Sequence, residues 1–277
     1  MKFDARLTLT RPGLASAALE GLTRAERFEA PRAMRLIVPA APLRAAPRLD
    51  AEQVDQLLFG EIFEVLDLEE GFAWGQAARD GYVGWVEAAA LSPRMLEPTH
   101  RVRALRAFAF ASPSIKSPAR GPFSLNALVR VGEVEGPLAF VEDAGWIARS
   151  HLAEIGRDFE AMADVAERFL GTPYLWGGRD SLGVDCSGLV QQAAYAAGQA
   201  CPRDTDLQAS RGTPVAPAEL ARGDLVFWRG HVGMMLDGER LLHANAHHMA
   251  VAIEPLAEAV VRIAAAGGGQ PTAYQRV

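Results

Sequence analysis

The sequence predicts an α+β protein in which small β-barrels precede a mixed domain, and three observations predict it. Residues from about 33 to 155 alternate short β-rich runs with turns, the mark of small all-β modules. Within that region a motif recurs at a fixed offset. After Asp158 helical spacing comes first and strand patterning second, which is an α+β ordering.

The bulk properties fit this reading. A chain of 277 residues, 49% apolar and 22% charged, is an ordinary globular protein with room for several cores. A net charge of −6 and a pI near 5.6 argue against nucleic acid or an anionic membrane as partner. The first dozen residues carry Asp4 and lack the apolar run of a signal peptide, and no later segment approaches a membrane span. A cytoplasmic location is therefore expected. Two cysteines, Cys186 and Cys201, are too few for a disulfide framework; free thiols are expected, with Cys201 a small buried hydrophobe.

Residues 1–32 read as a packing arm, with a break at Pro12-Gly13 and a short helix over Leu14–Gly21. Strands are predicted at Met34–Val38, Ile62–Leu66, Phe72–Ala77 and Tyr82–Val86, with a hairpin turn at Arg79-Asp80-Gly81. Gly84, Trp85 and Leu91 recur as Gly145, Trp146 and Leu152, each 61 residues on. Two copies of a module of about 60 residues account for this, spanning 33–95 and 96–155. The Gly-Trp-Val near the last strand resembles bacterial SH3-like domains.

The catalytic candidates lie in the third domain, 156–277. Helical spacing over Phe159–Leu170 stops at Gly171 and Pro173. A glycine-rich loop then runs into Asp185-Cys186-Ser187, where an alanine-rich helix begins and continues to about Gly198. A cysteine at a helix start meets unpaired N–H groups and the positive end of the dipole. That setting is expected to lower the thiol pKa and to hold an oxyanion. Strands follow at Asp224–Trp228, His231–Leu236, Arg240–His243 and Ala250–Glu254.

A cysteine nucleophile needs a base and a group that orients the base. Of six histidines, His100 and His151 read as surface residues outside this domain, and His247 and His248 as a loop. His231 and His243 flank Leu236-Asp237-Gly238. A three-residue hairpin loop ending in a left-handed glycine would set His231 directly opposite His243, Cβ atoms about 5 Å apart. Two other readings stay open here: polar strand residues, or zinc held by both histidines and Cys186.

Asp185-Cys186-Ser187-Gly-Leu-Val, preceded by Pro173-Tyr174-Leu-Trp-Gly-Gly and followed by His231-Val-Gly and His243-Ala, resembles the NlpC-type papain-like cysteine peptidases. The resemblance implies Cys186 as nucleophile, His231 as base, His243 as third polar residue and Tyr174 at the oxyanion site. It implies that Arg203 and Asp204 line the cleft; Asp185, with Ser187 beside it, and Asp204 carry carboxylates suited to a substrate ammonium, and Asp185 also reads as the helix N-cap. Such enzymes cut peptidoglycan peptides, commonly between γ-linked D-glutamate and a diamino acid, and need no cofactor. The SH3-like modules are similar to those of the recycling branch, which acts on freed peptides with an unblocked L-alanine. There a glutamate and a tyrosine of the first module confine the amine, and Glu61 and Tyr82 are the candidates. Each also has a plainer reading, Glu61 as a surface turn charge and Tyr82 as barrel packing. The alternatives are a murein-remodelling endopeptidase acting on intact wall, and a peptide-binding scaffold without activity.

Overall fold

The computed structural model describes residues 3–277. The chain divides into two compact units, one ending at Ile155 and the other spanning Gly156–Val277.

The N-terminal unit opens with a three-stranded sheet rather than an arm with a helix. Thr10–Arg11 pairs with Leu14–Ser16 around the Pro12-Gly13 turn, and Arg27–Glu29 adds in parallel. Gly13 has φ of +81°, the left-handed position that a Pro-Gly turn requires. The predicted helix is reduced to one 3₁₀ turn at Ala17–Leu19, because a run this short cannot repay helix nucleation. Leu9 and Leu14 pack against Trp74 and Trp85, and the Arg11 guanidinium lies 5.2 and 5.0 Å from those two rings, within cation–π range.

A seven-stranded sheet follows, built from Arg32–Leu36, Ala40–Arg44, Gln53–Leu58, Ile62–Glu69, Phe72–Ala77, Val83–Glu87 and Leu91–Ser92. Its core holds Leu36, Leu43, Leu57, Phe63 and Val86. A second β lobe covers His100–Glu154 in sheets of three and five strands. In both lobes the tryptophan strand leads into a 3₁₀ turn and a short strand. The sequence Val83–Glu87, Ala88–Ala90, Leu91–Ser92 is matched by Gly145–Ala148, Arg149–His151, Leu152–Glu154. The lobes are knitted together at Phe59-Gly60. Phe59 belongs to the core of the second lobe, edge-on to Phe123 at 5.0 Å. At Gly60 a Cβ would stand 1.9 Å from the Leu128 carbonyl oxygen, so no side chain fits.

In the C-terminal unit, strands Ala250–Pro255, Arg240–Asn245, His231–Met235, Leu225–Trp228, Ala273–Arg276 and Thr213–Pro214 form one antiparallel sheet in that order. The Cys186–Ala196 helix is buried at every position. The first helix is shorter than its apolar spacing predicts, Met162–Glu167 only, with Phe159 and Leu170 exposed. Glu160 explains the late start: its N–H donates to the Ala196 carbonyl and its carboxylate pairs with Arg168, which holds the lead-in against the Cys186 helix. Two helices escaped the sequence reading, the four-residue Thr205–Gln208 and the longer Leu256–Ala265. In the longer one Ala259, with Leu256, Val260 and Ile263, packs on Val226, Trp228, Met235 and Leu241 of the sheet. No helix among the described residues is long and apolar enough to cross a membrane.

Candidate active site

Cys186 is the first residue of its helix, and Asp185 is the N-cap, accepting from the Gly188 N–H at 2.7 Å. The other Asp185 oxygen accepts from the Gly177 N–H at 2.9 Å, so one carboxylate fixes both the helix start and the loop before it. Gly188 allows the helix to approach that loop. A Cβ there would lie 2.2 Å from the Gly178 carbonyl oxygen.

Arg203 completes this corner. It is 1% exposed and donates to both Asp185 oxygens, at 3.0 and 2.5 Å, and to the Ser187 hydroxyl at 2.7 Å. The expectation that Arg203 lines the cleft is therefore corrected. It lies beneath the nucleophile turn as the counter-ion of a buried carboxylate. Asp185 therefore acts as the helix N-cap, one of its two readings, with its charge balanced by Arg203. Ser187 is buried in the same network. Asp204 is half-buried at the start of the short Thr205–Gln208 helix, without a side-chain cap bond.

The thiol behaves opposite to the sequence expectation. Burial, then the Asp185 carboxylate, push Cys186 up to about 12, against the opposing pull of the Val232 and Ser187 N–H groups and Arg203. Desolvation outweighs the helix dipole. The Val232 contact sets Sγ against the residue that follows His231. Tyr174 is half-buried, and burial followed by the Cys186 and Asp185 charges raises its phenol. It thus stands near the thiol and keeps its proton.

The histidines meet, but through a different register. Met234 pairs with Leu242 and Met235 with Leu241, two residues away from the register that would oppose His231 to His243. Asp237 causes the difference: its Oδ1 accepts from the Glu239 and Arg240 N–H groups at 2.9 and 2.8 Å. This Asx turn centres the loop on Gly238, which does not take a left-handed φ. A shift of two keeps both histidines on one face, and they bond diagonally, His231 Nε2 to His243 Nδ1 at 2.8 Å.

Two partners were missed by the sequence reading. His243 Nε2 lies 2.7 Å from Glu254 Oε1, and Glu254 is ion-paired with Arg262 of the unpredicted Leu256–Ala265 helix. The cross-strand pair Leu241–Glu254 puts Glu254 on the face of His243, a relation visible only once the register is known. Among the described residues, His243, His248 and Glu254 are near enough to suggest a metal. Arg262 already supplies the positive charge at Glu254, and this set excludes Cys186, so no metal is assigned. His247 and His248 stack edge to face at 4.8 Å in the loop, with His248 tied to Asn245.

Burial, then the His243 charge, lower His231 to about 3, and burial lowers His243 to about 4 against the opposing pull of Glu254. Both are neutral at pH 7. Acid is therefore expected to destabilise the fold. Above the unfolded value of about 6.5 neither state binds the proton; below it the unfolded chain does and the folded chain does not until pH 4 to 3. The loss is at most about 1.4 kcal/mol per pH unit for each histidine. Urea melts between pH 7.5 and pH 5 measure it; equal slopes for wild type and His243→Gln would refute it.

Glu61 and Tyr82 belong to the N-terminal unit. Glu61 is not a surface charge: it is 1% exposed, accepts from the Leu58 N–H at 3.0 Å and pairs with Arg79 at 2.7 Å. Tyr82 is buried in the first lobe's core.

Residues 171–265 match the model of the NlpC/P60 family. The C-terminal unit carries an NlpC/P60 domain. Residues 43–91 match the model described as a bacterial dipeptidyl-peptidase Sh3 domain, which covers most of the first β lobe. The chain is thus a hydrolase of the cysteine-peptidase class. It is 28% identical over 228 residues to the gamma-D-glutamyl-L-lysine dipeptidyl-peptidase of Bacillus subtilis, covering 74% of this chain and 76% of that protein. It is 37% identical over 100 residues to a probable endopeptidase of Corynebacterium glutamicum, covering 35% of this chain and 47% of that one. An NlpC/P60 family protein from Bacillus cereus shares the fold, with a TM-score of 0.74 at 20% identity over 88% of this chain and 99% of that one. The NlpC/P60 domain thus contains Cys186, His231, His243 and the two partners that extend them, Glu254 and Arg262.

Proposed function

We propose that the protein hydrolyses the γ-D-glutamyl–diamino acid amide bond of peptidoglycan-derived peptides that bear a free N-terminal L-alanine. The observation that carries this reading is the arrangement around Cys186: a buried thiol at a helix start that accepts from the Val232 N–H, beside His231, whose imidazole is bonded to His243. The relative named a gamma-D-glutamyl-L-lysine dipeptidyl-peptidase supports the substrate class, since its similarity extends over 228 residues, beyond the NlpC/P60 segment. A dipeptidyl-peptidase counts two residues from a free amino end, which supports the unblocked alanine.

In this reading neutral Cys186 and neutral His231 act together. As Sγ bonds to the γ-glutamyl carbonyl carbon, His231 takes the thiol proton. The oxyanion is held by the Cys186 backbone N–H and the protonated Tyr174 hydroxyl. His231 returns the proton to the leaving amine as the C–N bond breaks. Water, deprotonated by His231, then cleaves the thioester and restores the thiol.

The test offers the purified chain L-Ala-γ-D-Glu-diaminopimelate, its N-acetylated form and intact sacculi, with products read by mass spectrometry. The expected result is L-Ala-D-Glu and free diaminopimelate from the unblocked peptide alone. Fragments released from sacculi without tripeptide cleavage would establish the wall-remodelling alternative instead.

A further inference from the structure

We propose that Glu254 and Arg262 are positioning residues that fix the tautomer of both histidines and so select His231 Nδ1 as the base. The inference deepens the functional reading above and rests on it for its kinetic arm only. Glu254 stands at the far end of the bonded row from His231. Burial opposes its ionisation, but the Arg262 bond, followed by His243, holds its carboxyl below the ordinary range. An ionised carboxylate only accepts hydrogen bonds.

The proton positions then follow one from another. Glu254 Oε1, 2.7 Å from His243 Nε2, requires that nitrogen to carry the hydrogen. In a neutral imidazole the other nitrogen is then bare, so His243 Nδ1 accepts. Its partner at 2.8 Å, His231 Nε2, must donate, which leaves His231 Nδ1 as the one nitrogen able to receive a proton. When it does, the imidazolium is stabilised through the same hydrogen bonds by the Glu254 carboxylate, and no proton moves to Glu254. Without the carboxylate, His243 is free to hold its hydrogen on Nδ1. Two N–H groups would then face each other, or the His231 tautomer would reverse and remove the base.

Arg262 sets the strength of this effect. Its Nη2 bonds Glu254 Oε1 and its Nε lies 3.3 Å from Oε2, so the guanidinium offsets the carboxylate while leaving it a site for His243. Other charged or titratable groups act on the same site. His248 opposes protonation of His243, and on the thiol side Asp185 and Arg203 act on Cys186, with Tyr174 beside it. Trp228 packs its ring 5.7 Å from His231 and brings no charge.

The test reads the tautomers directly, by two-bond ¹H–¹⁵N spectra of the full chain labelled at histidine, alongside kcat and KM for the tripeptide. Wild type is expected to show His231 and His243 both protonated at Nε2. Glu254→Gln, whose carbonyl oxygen still accepts, keeps that pattern. Glu254→Ala loses it and lowers kcat by about 100-fold with KM within twofold, a smaller loss than the roughly 10⁴-fold seen when a serine-protease histidine takes the wrong tautomer. Arg262→Met keeps the tautomer and moves the His243 titration upward, and Arg262→Lys returns it towards wild type. The proposal is overturned if wild-type His243 carries its hydrogen on Nδ1, or if folded Glu254→Ala leaves the tautomers unchanged. If Glu254→Ala does not fold, the wild-type spectrum and the Arg262→Met shift decide. Nε2–H tautomers in a protein inert towards the tripeptide would leave this inference standing and remove the substrate reading.

Discussion

Cys186→Ala is expected to lower kcat/KM for the γ-D-glutamyl tripeptide by about 10⁴-fold or more, the scale on which loss of a catalytic nucleophile is felt. Stability should change little. The residue is buried and the substitution removes one sulfur atom from a helix start that Asp185 and Gly188 define independently. Cys186→Ser should be nearly as inactive, because His231, lowered to about 3 by burial and its neighbour, is too weak a base for an alcohol. The measurement is single-turnover hydrolysis beside a thermal melt. Activity within tenfold of wild type in the alanine variant, with an unchanged melt, would mean that another group attacks the carbonyl. The high thiol value adds a second expectation to the same experiment. Alkylation of free wild-type enzyme by iodoacetamide should be slow at pH 7, because burial and the Asp185 charge disfavour the thiolate.

Arg203→Met should produce the largest loss of stability. It leaves the Asp185 carboxylate buried with only backbone N–H groups and Ser187 around it, and an uncompensated buried charge costs about 3–5 kcal/mol. The loss has a functional form as well, since Asp185 holds the turn that presents Cys186. Arg203→Lys should recover part of the stability, having the charge without the two-pronged geometry that meets both oxygens. The pair Asp185→Asn with Arg203→Met should be less destabilised than Arg203→Met alone, because the stranded charge is gone. Chemical denaturation of Arg203→Met, Arg203→Lys, Asp185→Asn and the double variant checks this, and an additive double variant would show that the two side chains do not act as a pair.

Local chemistry made much of this legible beforehand. The Cys186 helix start needed only a capping aspartate, a glycine-rich approach and an alanine-rich run. The Phe72–Ala77 strand was readable from its β-rich run and the Arg79-Asp80-Gly81 turn signal after it, and the 61-residue recurrence from Trp85 and Trp146. What stayed hidden depended on distant parts of the chain. Burial reverses the shift of the Cys186 thiol, and no local pattern reports how deeply a helix start is covered. The hairpin register turned on whether the Asp237 carboxylate caps the loop, and the partnership of Glu254 with His243 depends on that register and its neighbour's. The family resemblance set Arg203 at the cleft, and an arginine in a polar loop gives no sign of the buried carboxylate that claims it. The Leu14–Gly21 segment misled in the other direction, since its apolar residues serve a strand and a single turn.

The Phe59-Gly60 crossing has a consequence for how this protein can be varied. The second β lobe is completed by an aromatic ring that the first lobe contributes, and the backbone beside that ring touches the Leu128 carbonyl too closely to admit any side chain. The two lobes are therefore not interchangeable cassettes, despite their matching layout. A chimera that exchanges one lobe for a homologous module must carry the crossing residues and their seat across together. The workable junctions lie outside the pair.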